Sequence, residues 1–257
     1  MNVTEIAEII KKGLQKGYKQ NLLLLSSYND FIDQVREYLL TVNVAQHLLD
    51  WNENHLYKIQ IEYPVLNFYN NAFPAYKLDA VDIFNMNIIS RKSGHSPTDK
   101  NYQKVDLAIT EERSGDVGSH ERSLVGIELK GINKNENDII KDAERLAKAM
   151  LIEDSTDENS ILLGFCGFLR RFDKSEELVN SLLINKWNEE ETQRWQNICN
   201  DLNTKYPKLR FSIEIFEIVN TAYEKIAAIH KEMDSDYSEV ASDTGIVSGG
   251  ILSMQRI

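Results

Sequence analysis

Apolar side chains recur at helical spacing through residues 1–55. Ile6, Ile9, Ile10 and Leu14 form one stripe, and Phe31, Ile32, Val35 and Leu39 form a second. Ser26, Ser27 and Asn29 stand where caps of the second helix are expected. The period then changes to two: Tyr57–Tyr63 reads as a strand with Ile59, Ile61 and Tyr63 on one face and Lys58, Gln60 and Glu62 on the other. Between 65 and 103, Phe68, Phe73, Phe84, Met86, Ile88 and Ile89 suggest a further strand or hairpin without defining its ends.

A clearer hairpin follows. A strand is predicted over Lys104–Thr110, a turn-rich stretch containing Gly115 and Gly118 over Glu111–Ser123, and a partner strand over Leu124–Gly131. From Asp138 onward, Ile139, Ile140, Ala143, Leu146, Ala147, Met150 and Leu151 make an apolar stripe opposite Lys141, Asp142, Glu144, Arg145 and Lys148, the pattern of an amphipathic helix. Ile161–Phe168 is a continuous apolar run, expected of a strand buried on both faces. Helices are predicted at Ser175–Leu183 and Glu189–Asn203, a strand at Phe211–Val219 and a closing helix at Thr221–Met233. The Ser, Asp and Gly clusters of Asp234–Ile257 predict a tail that is flexible or added onto the fold. The sum is α/β: one domain over 1–233 that includes an N-terminal helical region (1–55), a mixed sheet flanked by helices, and a C-terminal tail (234–257).

Composition narrows the class. With 257 residues, 42% of them apolar, the chain is long enough for one large core. No apolar run reaches the roughly 18 residues of a membrane span, and the first residues carry acids where a signal peptide is basic, so a soluble, cytoplasmic protein with no membrane partner is expected. Cys166 and Cys199 lack ligand spacing, which argues against a disulfide framework or a structural zinc. The net charge of −11 speaks against simple, tight, non-specific DNA binding, although bound divalent ions and local cationic patches offset carboxylates near a site.

The chemistry sits in the hairpin. Strand phase sends Val105, Leu107 and Ile109 to one face and Asp106 to the other; in the partner, Val125, Ile127 and Leu129 point one way and Gly126, Glu128 and Lys130 the other. Three ionisable groups thus converge on one side of a buried sheet, where they need a partner or a metal. Asp106, Glu128 and the Leu129 carbonyl between Glu128 and Lys130 supply hard oxygen ligands for a divalent cation. Lys130 would hold or deprotonate an attacking water and offset charge on a phosphorane. Glu128-Leu129-Lys130 is the only acid-x-Lys triplet in the chain. The competing reading is a buried ion network with a purely structural role.

Glu62-Tyr63-Pro64, Val105-Asp106-Leu107, Ile127-Glu128-Leu129-Lys130-Gly131 and the helix after them resemble the core of the PD-(D/E)xK nuclease superfamily over roughly residues 25–220, with Val105 where the family's name has proline. The resemblance implies a restriction-endonuclease-like αβββαβ core with extra N- and C-terminal helices, Mg²⁺ or Mn²⁺ as cofactor, and hydrolysis of nucleic acid, DNA in preference to RNA, in restriction or defence. It also implies an upstream acid, for which Glu62 is preferred on strand phase and Glu37 is the rival. Double-strand cutting would call for a homodimer. For nucleic-acid contact the candidates are Arg91, Lys92 and Lys104, in or bordering the basic loop that leads into Asp106, and Arg145 on the following helix; a solvated loop and helix face are the plainer readings. Set against the nuclease is a non-catalytic binding or assembly module built on the same fold.

Overall fold

A computed structural model describes residues 1–25, 37–72, 104–115, 118–132, 134–152, 159–171, 181–218 and 247–257. The elements are α1 (Val3–Leu25), α2 (Glu37–Trp51), β1 (Lys58–Pro64), α3 (Val65–Asn70), β2 (Lys104–Gly115), β3 (Gly118–Ile132), α4 (Glu136–Met150), β4 (Leu163–Arg171), α5 (Ser181–Lys205), β5 (Leu209–Glu217) and β6 (Val247–Arg256). The described strands form one six-stranded mixed sheet in the order β1-β2-β3-β4-β6-β5. Only β3 and β4 run parallel, joined by α4 as a crossover; the other neighbours are antiparallel. Among the described residues no helix is long and apolar enough to cross a membrane.

Two apolar layers hold the helices to this sheet. On one face Ile6, Ile10 and Leu14 of α1 and Leu40, Val44 and Leu48 of α2 pack with Leu107, Ile109, Val125, Ile127 and Leu129. On the other, Ile139, Ala143 and Leu146 of α4 and Trp195 and Cys199 of α5 pack with Ala108, Cys166, Phe168 and Leu252. Strand β4 is buried on both faces, with Phe165 and Leu169 in the first layer and Cys166 and Phe168 in the second. Helix α4 begins as its charge pattern requires, with Asn135 accepting the N–H of Asn137 and with Glu136 and Asp138 in its first turn.

Several expectations are corrected. Residues 247–256 are not a flexible tail: β6 lies inside the sheet between β4 and β5, almost wholly buried. Its Gly249-Gly250 pair, which reads as flexibility in sequence, makes room for rings; a Cβ on Gly250 would lie 2.2 Å from the Phe168 ring and one on Gly249 2.3 Å from Phe216. Glu111–Ser123 is not a loose turn, because β2 and β3 stay paired out to Gly115↔Gly118, with a register shift between Ile109 and Thr110. Leu183 and Glu189, assigned to separate helices, share the continuous α5. In β1 the strict alternation fails: Ile59 packs on the α1/α2 layer, Ile61 is exposed, and Tyr63 is buried in the opposite layer. The cause is Glu62, whose φ of 50° is a left-handed conformation that turns the strand over. Val105, paired with Tyr63, likewise joins the α4/α5 layer and not that of Leu107 and Ile109. The expected caps at 26–29, the stripe from Phe31 to Val35, the hairpin within 73–103 and the helix at 221–233 lie outside the described residues.

Candidate active site

Strands β2 and β3 part company at Asp106. Their ladder ends at Leu107↔Ile127, yet β2 keeps its pairing with β1 to Lys104↔Pro64, and β3 keeps its pairing with β4 to Ile132. The sheet therefore forks, with Asp106 on one prong and Glu128 and Lys130 on the other. Main-chain groups of β3 that lose β2 as a partner must find another. The Leu129 N–H donates to Asp106 Oδ2 at 2.7 Å, and the Gly131 N–H to Glu37 Oε1 at 3.4 Å. Because the N–H and C=O of a strand residue leave on the same side, the Leu129 carbonyl also faces the fork.

Side-chain phase delivers the rest. Ile127 and Leu129 are buried against α1 and α2, so Glu128 and Lys130 emerge on the face that carries α4, while Asp106 reaches into the gap between the strands, where it meets the Leu129 N–H. Gly126 shares that face, and a Cβ there would lie 2.6 Å from Leu146, so α4 sits close. Two α4 residues complete the group. Arg145 Nη2 donates to Glu128 Oε1 at 2.5 Å and lies 3.1 Å from Asp142 Oδ1, while Lys130 Nζ lies 2.8 Å from Asp142 Oδ2. Asp142 thus ties the two cations together.

The electrostatics are those of charges held out of water. Glu128 is 2% exposed; burial pushes its carboxyl up to about 8, repulsion from Asp106 and Asp142 adds to this, and Arg145 opposes it. Burial also raises Asp106, against the pull of the Leu129 N–H and of Lys130. For Lys130 burial acts downward, but Asp142, Asp106 and Glu37 outweigh it and the ammonium is held above its usual range. Asp106, Glu128, Asp142 and Glu37 face Lys130, Arg145 and Lys134, the last 3.3 Å from Glu37.

The fold thus brings Asp106, Glu128, Lys130 and the Leu129 main chain together. It does not bring Glu62. The kink at Glu62 leaves its side chain half exposed in an ion pair with Lys104, and the acid whose charge reaches Asp106 and Lys130 is Glu37, at the start of α2. The preference for Glu62 is corrected accordingly: strand phase predicts its side only if every residue keeps β geometry. Lys104 is exposed and already paired. Arg145 is no solvated cation awaiting a phosphate, since both its carboxylate partners lie within the site. Arg91 and Lys92 lie outside the described residues. The sequence signals Asp142 only through its i,i+3 spacing from Arg145.

Among the described residues no group of three or more His, Cys, Asp or Glu side chains is arranged to hold a metal ion. Comparison with protein-family models, with curated proteins and with solved structures finds no match to this chain.

Proposed function

We propose that this protein is a metal-dependent nuclease with a restriction-endonuclease-like core, hydrolysing phosphodiester bonds of nucleic acid, DNA in preference to RNA, in a role such as restriction or defence. The observation that carries the reading is the fork at Asp106: an acid on one strand and Glu-x-Lys on the other converge on one sheet face at the point where the ladder opens. The element order supports it, since α2, the antiparallel β1-β2-β3, the crossover α4 and the parallel β4 follow the αβββαβ sequence apart from α3, which is inserted between β1 and β2.

The donor chemistry fits Mg²⁺ or Mn²⁺. The carboxylates of Asp106 and Glu128 and the Leu129 carbonyl are hard oxygen donors of the kind such ions prefer. When bound, the ion would polarise a phosphate oxygen and make a water nucleophilic at neutral pH. The chain's own residues do the remainder. Asp106 fixes the Leu129 main chain, and with it the direction of the Leu129 carbonyl. Lys130, held beside Asp142 and near Asp106 and Glu37, orients the water and offsets charge on the phosphorane. Glu37 takes the place of the upstream acid.

A second reading is a non-catalytic binding or assembly module of the same fold. It draws support from the closed network Glu128–Arg145–Asp142–Lys130, in which the acid and cations neutralise one another, and from the −11 charge. Incubation with plasmid, single-stranded DNA and RNA in Mg²⁺ or Mn²⁺, beside Lys130→Ala and Asp106→Ala, separates the two. The nuclease cuts at least one substrate only with metal and loses this in both variants. Absence of cutting, or cutting undiminished in both variants, leaves the binding module.

A further inference from the structure

We infer that Arg145 is a resident counter-cation that holds the metal position at Glu128 in the metal-free protein and gives it up when a divalent ion enters, retaining Asp142. The inference rests on the nuclease reading above and deepens it by assigning a device for loading the site.

The geometry of the pair is that of an exchangeable contact. A guanidinium built to stabilise a buried carboxylate usually does so through two parallel hydrogen bonds. Arg145 instead uses one nitrogen, Nη2, for both Glu128 and Asp142, at 2.5 and 3.1 Å. Its Nε is buried with no hydrogen-bond partner. Glu128, by contrast, is nearly sealed, and its ionised form needs a cation against it. The arginine side chain is 23% exposed and therefore has an outward path that the carboxylate lacks. Asp142 anchors the released guanidinium one helical turn away, on the same helix, and also keeps Lys130 in position, so the exchange disturbs only one of the links in the network. The outcome is a site that stays folded and charge-balanced before metal arrives, at the cost of competing with it.

The test is Mn²⁺ binding, read from the EPR signal of the free ion, for wild type, Arg145→Gln, Arg145→Lys and Glu128→Gln, with thermal unfolding of each with and without Mn²⁺. Removal of the competitor tightens Mn²⁺ binding in Arg145→Gln by about tenfold, the equivalent of roughly 1.4 kcal/mol. The same variant melts below wild type without metal and gains more from Mn²⁺ than wild type does. Arg145→Lys, with a mobile ammonium, falls between the two and serves if the Gln variant does not fold. Binding in Arg145→Gln or Arg145→Lys equal to or weaker than wild type overturns the exchange while leaving the metal site intact. Absence of binding in wild type and in both arginine variants overturns the metal reading itself, and with it the exchange.

Discussion

The Asp106 carboxylate accepts the Leu129 main-chain N–H at 2.7 Å, spanning the gap where β2 and β3 separate. One side chain therefore has two duties, and they can be divided. Asp106→Ala orphans a buried N–H and is expected to destabilise the protein by about 1–3 kcal/mol in urea unfolding. Asp106→Asn keeps an acceptor oxygen for Leu129, so it unfolds close to wild type while losing metal-dependent cleavage. Equal stability of the Asn and Ala variants would remove the structural half of this account.

Lys130 is expected to serve the reaction and not metal binding. Lys130→Met retains Mn²⁺ binding but lowers the single-turnover cleavage rate by about 10²-fold or more. A loss of Mn²⁺ affinity as large as the loss of rate would assign it to the ion instead.

The two upstream acids are predicted to behave differently. Glu37 lies close enough to act electrostatically on Asp106 and Lys130, and it takes the Gly131 N–H. Glu62 pairs with Lys104 at an exposed edge. Cleavage by Glu37→Gln should drop by about tenfold, on the scale of roughly 1.4 kcal/mol for one partly buried charge, whereas Glu62→Gln should match wild type. The reverse pattern would restore Glu62 to the site.

Much of this site was legible in the sequence because strand alternation survives where both faces are buried. Leu107, Ile109, Val125, Ile127 and Leu129 alternate as their spacing implies, and in β3 that phase puts Glu128 and Lys130 together; Asp106, beside the departing Val105, joins them through the Leu129 N–H. Illegible were the features set by single backbone departures or by distant packing. The left-handed Glu62 breaks the alternation locally, and no pattern in β1 announces it. Glu37 reaches the site only because α2 docks against the sheet. Gly249 and Gly250 look like flexible chain until the Phe168 and Phe216 rings they accommodate are known.

Strand β6 is accordingly expected to be essential. Gly250→Val would force a side chain into the Phe168 ring and should destabilise the fold by about 1–3 kcal/mol or more in urea unfolding. Deletion of residues 247–257 should abolish cooperative unfolding altogether, because β5 would lose its only neighbouring strand among the described residues. A truncated chain that unfolds like wild type would contradict the placement of β6.

At the far end of the hairpin, Glu121 accepts hydrogen bonds from Gln60, Tyr63, Asn71 and Thr110. Burial acts to raise its carboxyl, but those from Tyr63, Thr110 and Gln60 outweigh it and the net shift is downward. A carboxyl lowered by folding contributes stability above its unfolded value of 4.5, and this is lost as pH falls through the folded value. Denaturant unfolding between pH 7 and pH 3 should therefore show a smaller loss of stability in Glu121→Gln than in wild type; an identical loss would show that this carboxyl does not contribute.

The nuclease reading is tested most directly by single-turnover cleavage of an end-labelled DNA duplex in Mg²⁺, wild type beside Lys130→Met, each repeated with EDTA. Wild type is expected to cut the duplex, Lys130→Met to cut it at least about 10²-fold more slowly, and chelation to abolish scission. Scission that persists in EDTA, or that Lys130→Met performs at the wild-type rate, would contradict it.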